Sequence, residues 1–217
     1  MEESNIADIA IALYALPMKI IEVGMMYGTV FLNSVLPVLT TSIEKKNKAE
    51  TEKIIQNAFH ILFAFGLGLS SFLMLYGREV LLLLSGEKYM QTELFGYTTG
   101  DAIGIVAWVF LFYFISSLLT YTLIARGEQK KMIWINGIVA LVNILGNLIF
   151  IPYYSFIGSA WVTVISQFLL IVITGWYVRD NISHKKMMFF VLPMLSVALL
   201  AGTISNTLTG ASLQSPS

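Results

Sequence analysis

The chain has 217 residues, 57% of them hydrophobic and 12% charged, with a formal net charge of zero. That balance, with a positive mean hydropathy, excludes an ordinary soluble domain and predicts a multi-span membrane protein. The absence of cysteine excludes disulfides and thiolate metal sites, and no basic stripe marks a nucleic-acid surface. No phosphate-binding loop of the G-x-x-x-x-G-K-[ST] type is present. Nor is there a nucleophile–base or metal constellation, so no catalytic residue, cofactor or metal is expected and the chain does not read as an enzyme.

The opening Met1-Glu2-Glu3-Ser4-Asn5-Ile6-Ala7-Asp8 is acidic, unlike the basic lead of a signal peptide. A first span is expected over residues 9–43, kinked at Pro17, where a backbone donor is lost. Gly24 and Gly28 are spaced for close helix contact. The only charges inside any expected span are Lys19 and Glu22, three residues apart and able to share one helical face. Counted from residue 9, Lys19 falls near mid-depth. A lysine there costs roughly 2.5–3.5 kcal/mol on insertion scales, so it should face protein or a watery cavity. Pairing with Glu22 and snorkelling to the outer interface are the bland alternatives.

Residues 44–56 form a charged connection in which Lys46–Glu50 and Lys48–Glu52 have the i,i+4 spacing of a short surface helix. A second span is expected at 55–76, with His60 as a packing residue. Residues 77–100 read as an exterior segment, within which 80–84 is too short to span. The third span, 102–125, is free of charge and opened by Asp101 as N-cap. Arg126-Gly127-Glu128-Gln129-Lys130-Lys131 follows as a short interior turn.

Residues 132–178 contain no Asp, Glu, Lys or Arg. That length suits two crossings, since each needs roughly 20 apolar residues. Pro152-Tyr153-Tyr154-Ser155-Phe156 sits in the middle; proline should end a helix there, and tyrosines suit the water–lipid interface. The expectation is a helical hairpin, 132–151 and 157–178, with Asn143 and Asn147 on one face. A sixth span is expected at 187–204, kinked at Pro193, and a flexible tail at 205–217.

The fold class expected is therefore an all-α integral membrane protein of about six transmembrane helices over residues 1–204. Of the 13 Lys and Arg, ten fall in the proposed interior segments, two (Arg78 and Lys88) outside, and Lys19 within a span. That asymmetry places both termini outside the plasma membrane.

The run Asn143-Ile-Leu-Gly-Asn147-Leu-Ile-Phe-Ile-Pro152-Tyr-Tyr-Ser-Phe-Ile-Gly158-Ser-Ala-Trp resembles a hairpin of the polysaccharide flippases. These belong to the multidrug/oligosaccharidyl-lipid/polysaccharide exporter superfamily, whose pattern runs N-x-x-L-N-x-x-L-I-P-x-Y-G-x-x-G-A-A. Ser155 stands where Gly is usual, and Ser159 where Ala is usual. Asn143, Asn147, Pro152 and Gly158 thus mark the family as a structural motif. Tyr14-Ala15-Leu16-Pro17-Met18-Lys19-Ile20-Ile21-Glu22 resembles, imperfectly, the family's Y-x-x-A-x-[RK]-L-x-E. In the lipid II branch the basic position is associated with an anionic headgroup, which implies headgroup binding by Lys19 and Glu22.

Family members have two six-helix lobes, and the resemblance implies that this chain is the C-terminal lobe. Its first lobe would be absent or supplied by a partner chain. The implied substrate is a polyprenyl-diphosphate-linked oligosaccharide moved by alternating access for cell-surface polysaccharide biosynthesis. The partners are then that lipid-linked oligosaccharide and membrane lipid, with no nucleic acid. The alternatives are a drug/cation antiporter lobe of the same superfamily, and a non-transporting scaffold or truncated remnant.

Overall fold

The structure, a computed structural model, describes residues 2–86, 94 and 96–181. The expected sixth span at 187–204, the tail at 205–217 and the polar middle of segment 77–100 lie outside the described residues. Within them are four long helices: α1 (Glu2–Glu44), α2 (Lys48–Ser85), α3 (Thr99–Ala125) and α4 (Gln129–Val178), then a 3-10 turn at Arg179–Asn181. Each of the four is long and apolar enough to cross a membrane. The chain is a multi-pass helical membrane protein.

α1 runs unbroken through Pro17 and Pro37 over 43 residues. At 1.5 Å per residue this is about 64 Å, roughly twice the thickness of a bilayer's hydrocarbon core. The charged connection expected at 44–56 is much shorter than anticipated. Only Lys45–Asn47 lie outside helix, and the basic, acidic stretch from Lys48 is the first turn of α2. Asn47 explains the abrupt start: its side-chain oxygen accepts from the Glu50 backbone N–H at 3.2 Å, and its amide donates to the Glu50 carboxylate at 2.9 Å. Behind this cap, Ser42 and Thr51 hydroxyls meet at 2.8 Å in a buried position. At the other end α2 continues through 80–84 and stops at Gly86.

α3 begins with Thr98 as N-cap, whose backbone N–H donates to the Asp101 carboxylate at 2.8 Å. Asp101 is thus the third helical residue reaching back to the cap, not the cap itself, as in half of a capping box. α3 packs against α1, α2 and α4 and is the centre of the fold. Val106, Ala107, Val109, Phe110, Leu111 and Phe114 are all buried. Facing them are Phe59, Leu62 and Phe63 from α2 and Ile21, Leu32 and Leu39 from α1.

The glycine pair of α1 works as two notches. A Cβ at Gly24 would run into the Phe110 ring, and one at Gly28 into the Phe114 ring. A Cβ at Gly66 of α2 would meet the Phe114 ring as well and would lie 3.4 Å from the Leu111 backbone. The matching order of these contacts, Gly24 to Phe110 and Gly28 to Phe114, shows that α1 and α3 run parallel. By the same register Lys19 falls near Ile105, in the second turn of α3.

α4 is two helices folded back on each other. Asn143 donates to Ser166 at 3.0 Å, although a straight helix would set those residues about 34 Å apart. The reversal is at Ser155, whose φ of 51° and ψ of −138° leave the helical region. Helix geometry persists through Pro152, so proline does not end the first leg. It removes one donor and crowds one turn, but the chain turns only where a residue abandons the helical dihedrals. The legs then close tightly: a Cβ at Gly158 would lie 2.8 Å from the Phe150 carbonyl oxygen, and one at Gly146 3.0 Å from Val162.

Candidate functional site

Two polar assemblies stand out in an otherwise apolar bundle. The first joins the hairpin internally and to α1. Asn147 donates to Asn143 at 3.0 Å and accepts from the Ser159 hydroxyl at 2.8 Å, while Asn143 donates to Ser166. Thr163 donates to the Ser159 carbonyl at 2.9 Å, so the Tyr14 hydroxyl, 2.8 Å from Thr163, donates in turn. A neighbouring bond, Ser116 to Gln167 at 3.1 Å, ties α3 to the second leg. Asn143 and Asn147 are therefore brought together, each donating once and accepting once, with the Ser159 and Ser166 hydroxyls at the two ends of the chain of bonds. Pro152 and Gly158 stand on either side of the Ser155 reversal.

The second assembly is the open face of α1. Lys19, Glu22, Val23, Met26, Tyr27, Val30 and Asn33 are all exposed, at the three- and four-residue steps that mark one helical stripe. Lys19 and Glu22 share that stripe yet form no ion pair with each other, the ion pairs among the described residues being those of Glu128 with Arg126 and Lys131. Glu22 borders a cavity of about 310 Å³ with Met25, Met26, Thr29, Val30 and Tyr113. Two hydroxyl-bearing side chains of α3 edge the same face. Tyr113 lies 3.1 Å from Thr29, and Tyr121 donates to Asn33 at 2.7 Å.

These assemblies remain apart: Lys19 and Glu22 make no hydrogen bond to the asparagine network among the described residues, and Tyr14, five residues before Lys19, is the hydroxyl link from α1 to the hairpin. Sequence reasoning named Tyr14 only as the start of the family-like run, without its partner, and missed Thr29, Asn33, Tyr113 and Tyr121. The one available signal was a polar residue in an apolar span, which by itself does not name its partner. No group of three or more His, Cys, Asp or Glu side chains suited to a metal occurs among the described residues.

The charged turn between α3 and α4 has a different character. Arg126 lies 2.9 Å from Glu128 and donates to the Tyr177 carbonyl at 3.0 Å. Lys131 lies 3.1 Å from Glu128 and sits over the Tyr177 ring at 5.1 Å, while Arg179 stacks 4.3 Å over Trp176. Such a belt of aromatics and cations clamps the hairpin's ends together and suits a membrane–water boundary.

A bundle of long apolar helices, one carrying an exposed Lys and Glu, with a cross-linked hairpin behind it defines a polytopic membrane protein. The chain matches the family described as Lipid II flippase MurJ over residues 5–214, and it belongs to that family. It is similar to the capsular polysaccharide biosynthesis protein CapF of Staphylococcus aureus, with 26% identity over 149 residues, covering 67% of this chain and 36% of that protein. The chain thus spans a little over a third of the length of this curated relative. No solved structure matches it.

Proposed function

We propose that the chain is the C-terminal part of a flippase that carries polyprenyl-diphosphate-linked oligosaccharide from the cytoplasmic to the exterior leaflet. The observation that carries this reading is the exposure of Lys19 and Glu22, unpaired with each other, on one face of an apolar helix in a chain of this family. Hydrocarbon does not solvate such groups, so the face belongs to a watery cavity or to protein. An anionic diphosphate supplies the missing partner for Lys19. Lysine offers a compact charge without the fork of arginine, so it would hold a phosphate oxygen as a point charge. Glu22, about 4.5 Å further along the axis, keeps the cavity close to neutral when no substrate is bound.

The opposite wall would come from a second set of helices, on the same polypeptide or on a partner chain, and rocking of the two halves would expose the cavity to each side in turn. Both termini of the span-bearing region lie outside the plasma membrane in this reading, because the basic residues gather on the other side. The asparagine network serves to hold the hairpin together.

The test uses the assembled transporter and a flipping assay in proteoliposomes. Lys19→Arg retains transport, and Lys19→Met, similar in length but neutral, loses it. Lys19→Met combined with Glu22→Gln recovers expression and folding without recovering transport. A double neutral variant that transports at the wild-type rate removes Lys19 from the site. The chain reconstituted without a second half moves no lipid-linked sugar.

A further inference from the structure

We infer that the pairs Thr29–Tyr113 and Asn33–Tyr121 form a sugar-reading wall for the uncharged, hydroxyl-rich part of the substrate. The inference rests on the flippase reading and adds to it a second subsite, with a different chemistry from that at Lys19.

Hydrogen-bond accounting supplies the first argument. Thr29 gives its one proton to the Met25 carbonyl at 3.2 Å, so Tyr113, at 3.1 Å, must donate to Thr29. The Tyr113 oxygen keeps its lone pairs free. Tyr121 likewise donates to Asn33 Oδ1 at 2.7 Å, and its oxygen is free to accept. Fixing Oδ1 as acceptor turns the Asn33 amide so that its two N–H groups point away from Tyr121, and neither has a partner among the described residues. Asn33 is exposed. Amide hydrogens left open on the wall of a watery cavity are free to bond acceptors on whatever enters it. The wall therefore presents two donors from Asn33 and acceptors from two phenols, the mixed pattern that a sugar hydroxyl, both donor and acceptor, satisfies.

Charge supplies the second argument. Residues 23–43 of α1 and 102–125 of α3 contain no Asp, Glu, Lys or Arg, so the wall is polar but neutral. The charged pair Lys19 and Glu22 lies to one side of it: Thr29 is about 15 Å and Asn33 about 21 Å from Lys19 along the axis. A diphosphate-linked sugar has the same order, an anionic group followed by a neutral hydroxyl-bearing chain. Tyr27, Met26 and Val30, exposed beside the polar pairs, provide apolar and aromatic surface of the kind that packs on a sugar ring. A lipid tail has no use for the polar groups, and a second protein lobe would make them an ordinary helix interface; the experiment separates these.

The transporter assembled with its second half, in lipid nanodiscs, is titrated with two probes, undecaprenyl diphosphate and the same lipid carrying N-acetylglucosamine. The wild-type chain is expected to bind the sugar-bearing probe about ten-fold more tightly, the equivalent of one or two net hydrogen bonds. Asn33→Leu with Tyr121→Phe abolishes that preference and leaves the bare diphosphate lipid unaffected, whereas Lys19→Met weakens both probes. A melting curve matching that of the wild type shows that the double variant is folded. Tyr113→Phe, a gentler change, gives a partial loss in the same direction. The sugar wall is overturned if the double variant keeps the preference, weakens both probes equally, or changes only self-association of the chain. It also falls if the wild type binds both probes equally in a Lys19-dependent way, a result that leaves the diphosphate reading standing. Binding that ignores Lys19→Met sinks the diphosphate reading on its own, and no binding of either probe sinks both.

Discussion

Replacing Ser155 by glycine should make this protein more stable. Ser155 reverses the hairpin with φ 51° and ψ −138°, close to the first central position of a type II′ turn, where glycine predominates because any Cβ meets the neighbouring backbone. Holding a serine there costs on the order of 1–3 kcal/mol. Glycine removes that strain and returns about 0.5–1 kcal/mol through the extra freedom of the unfolded chain. The net gain is about 0.5–2 kcal/mol. No hydrogen bond from the Ser155 hydroxyl occurs among the described residues, so no bond is lost, and the packing lost at this buried position is that of one small hydroxymethyl group. For a chain of this size the gain corresponds to a rise of very roughly 1–8 °C in melting temperature, read by scanning fluorimetry in detergent. Ser155→Ala is the control: it keeps the Cβ and with it the strain, so it should not share the gain. A melting temperature for Ser155→Gly at or below that of Ser155→Ala would refute the strain argument.

The notches on α1 predict a sharp contrast: Gly28→Ala, which drives a methyl into the Phe114 ring, should cost about 1–3 kcal/mol, while Gly68→Ala, with nothing within 4 Å, should be neutral or slightly stabilising in thermal melts. Asn147→Leu should lose about 0.6–2 kcal/mol, because it leaves the Ser159 hydroxyl and Asn143 without their shared partner. Single cysteines at Lys48 and Gln129 should resist an impermeant thiol reagent applied to intact cells, and one at Tyr153, 78% exposed at the hairpin bend, should react; the reverse pattern would invert the proposed orientation.

The hairpin was legible in the sequence because two independent signals coincide there: a charge-free run too long for one crossing, and the Pro152-Tyr153-Tyr154 punctuation at its middle. Both record constraints that act along the chain. The helical character of the rest was legible from apolar length alone. What could not be read is which helix sits in the middle. In a bilayer, lipid is as apolar as a protein core, so burial leaves little trace in hydropathy, and α3 looked like any other span. The partners of Thr29 and Asn33 were hidden for a related reason, since pairing them with Tyr113 and Tyr121 requires the parallel register of α1 on α3. The break at Ser155 was displaced to Pro152 in the sequence reading because proline is the louder residue.

The central placement of α3 sorts the apolar residues of this chain into two kinds with different tolerance to change. On the hairpin, side chains such as Trp134, Leu148 and Ile149 are 60–80% exposed, and where such a face meets lipid it need only dissolve in hydrocarbon. Leucine, isoleucine, valine or phenylalanine serve there almost interchangeably. On α3 the neighbours are fixed rings and glycine notches, so volume and shape decide, and a swap that preserves hydropathy perfectly can still fail. A mutational scan scored by hydrophobicity would find the two surfaces alike. One scored by side-chain volume would separate them, and would trace the buried helix without any structure in hand.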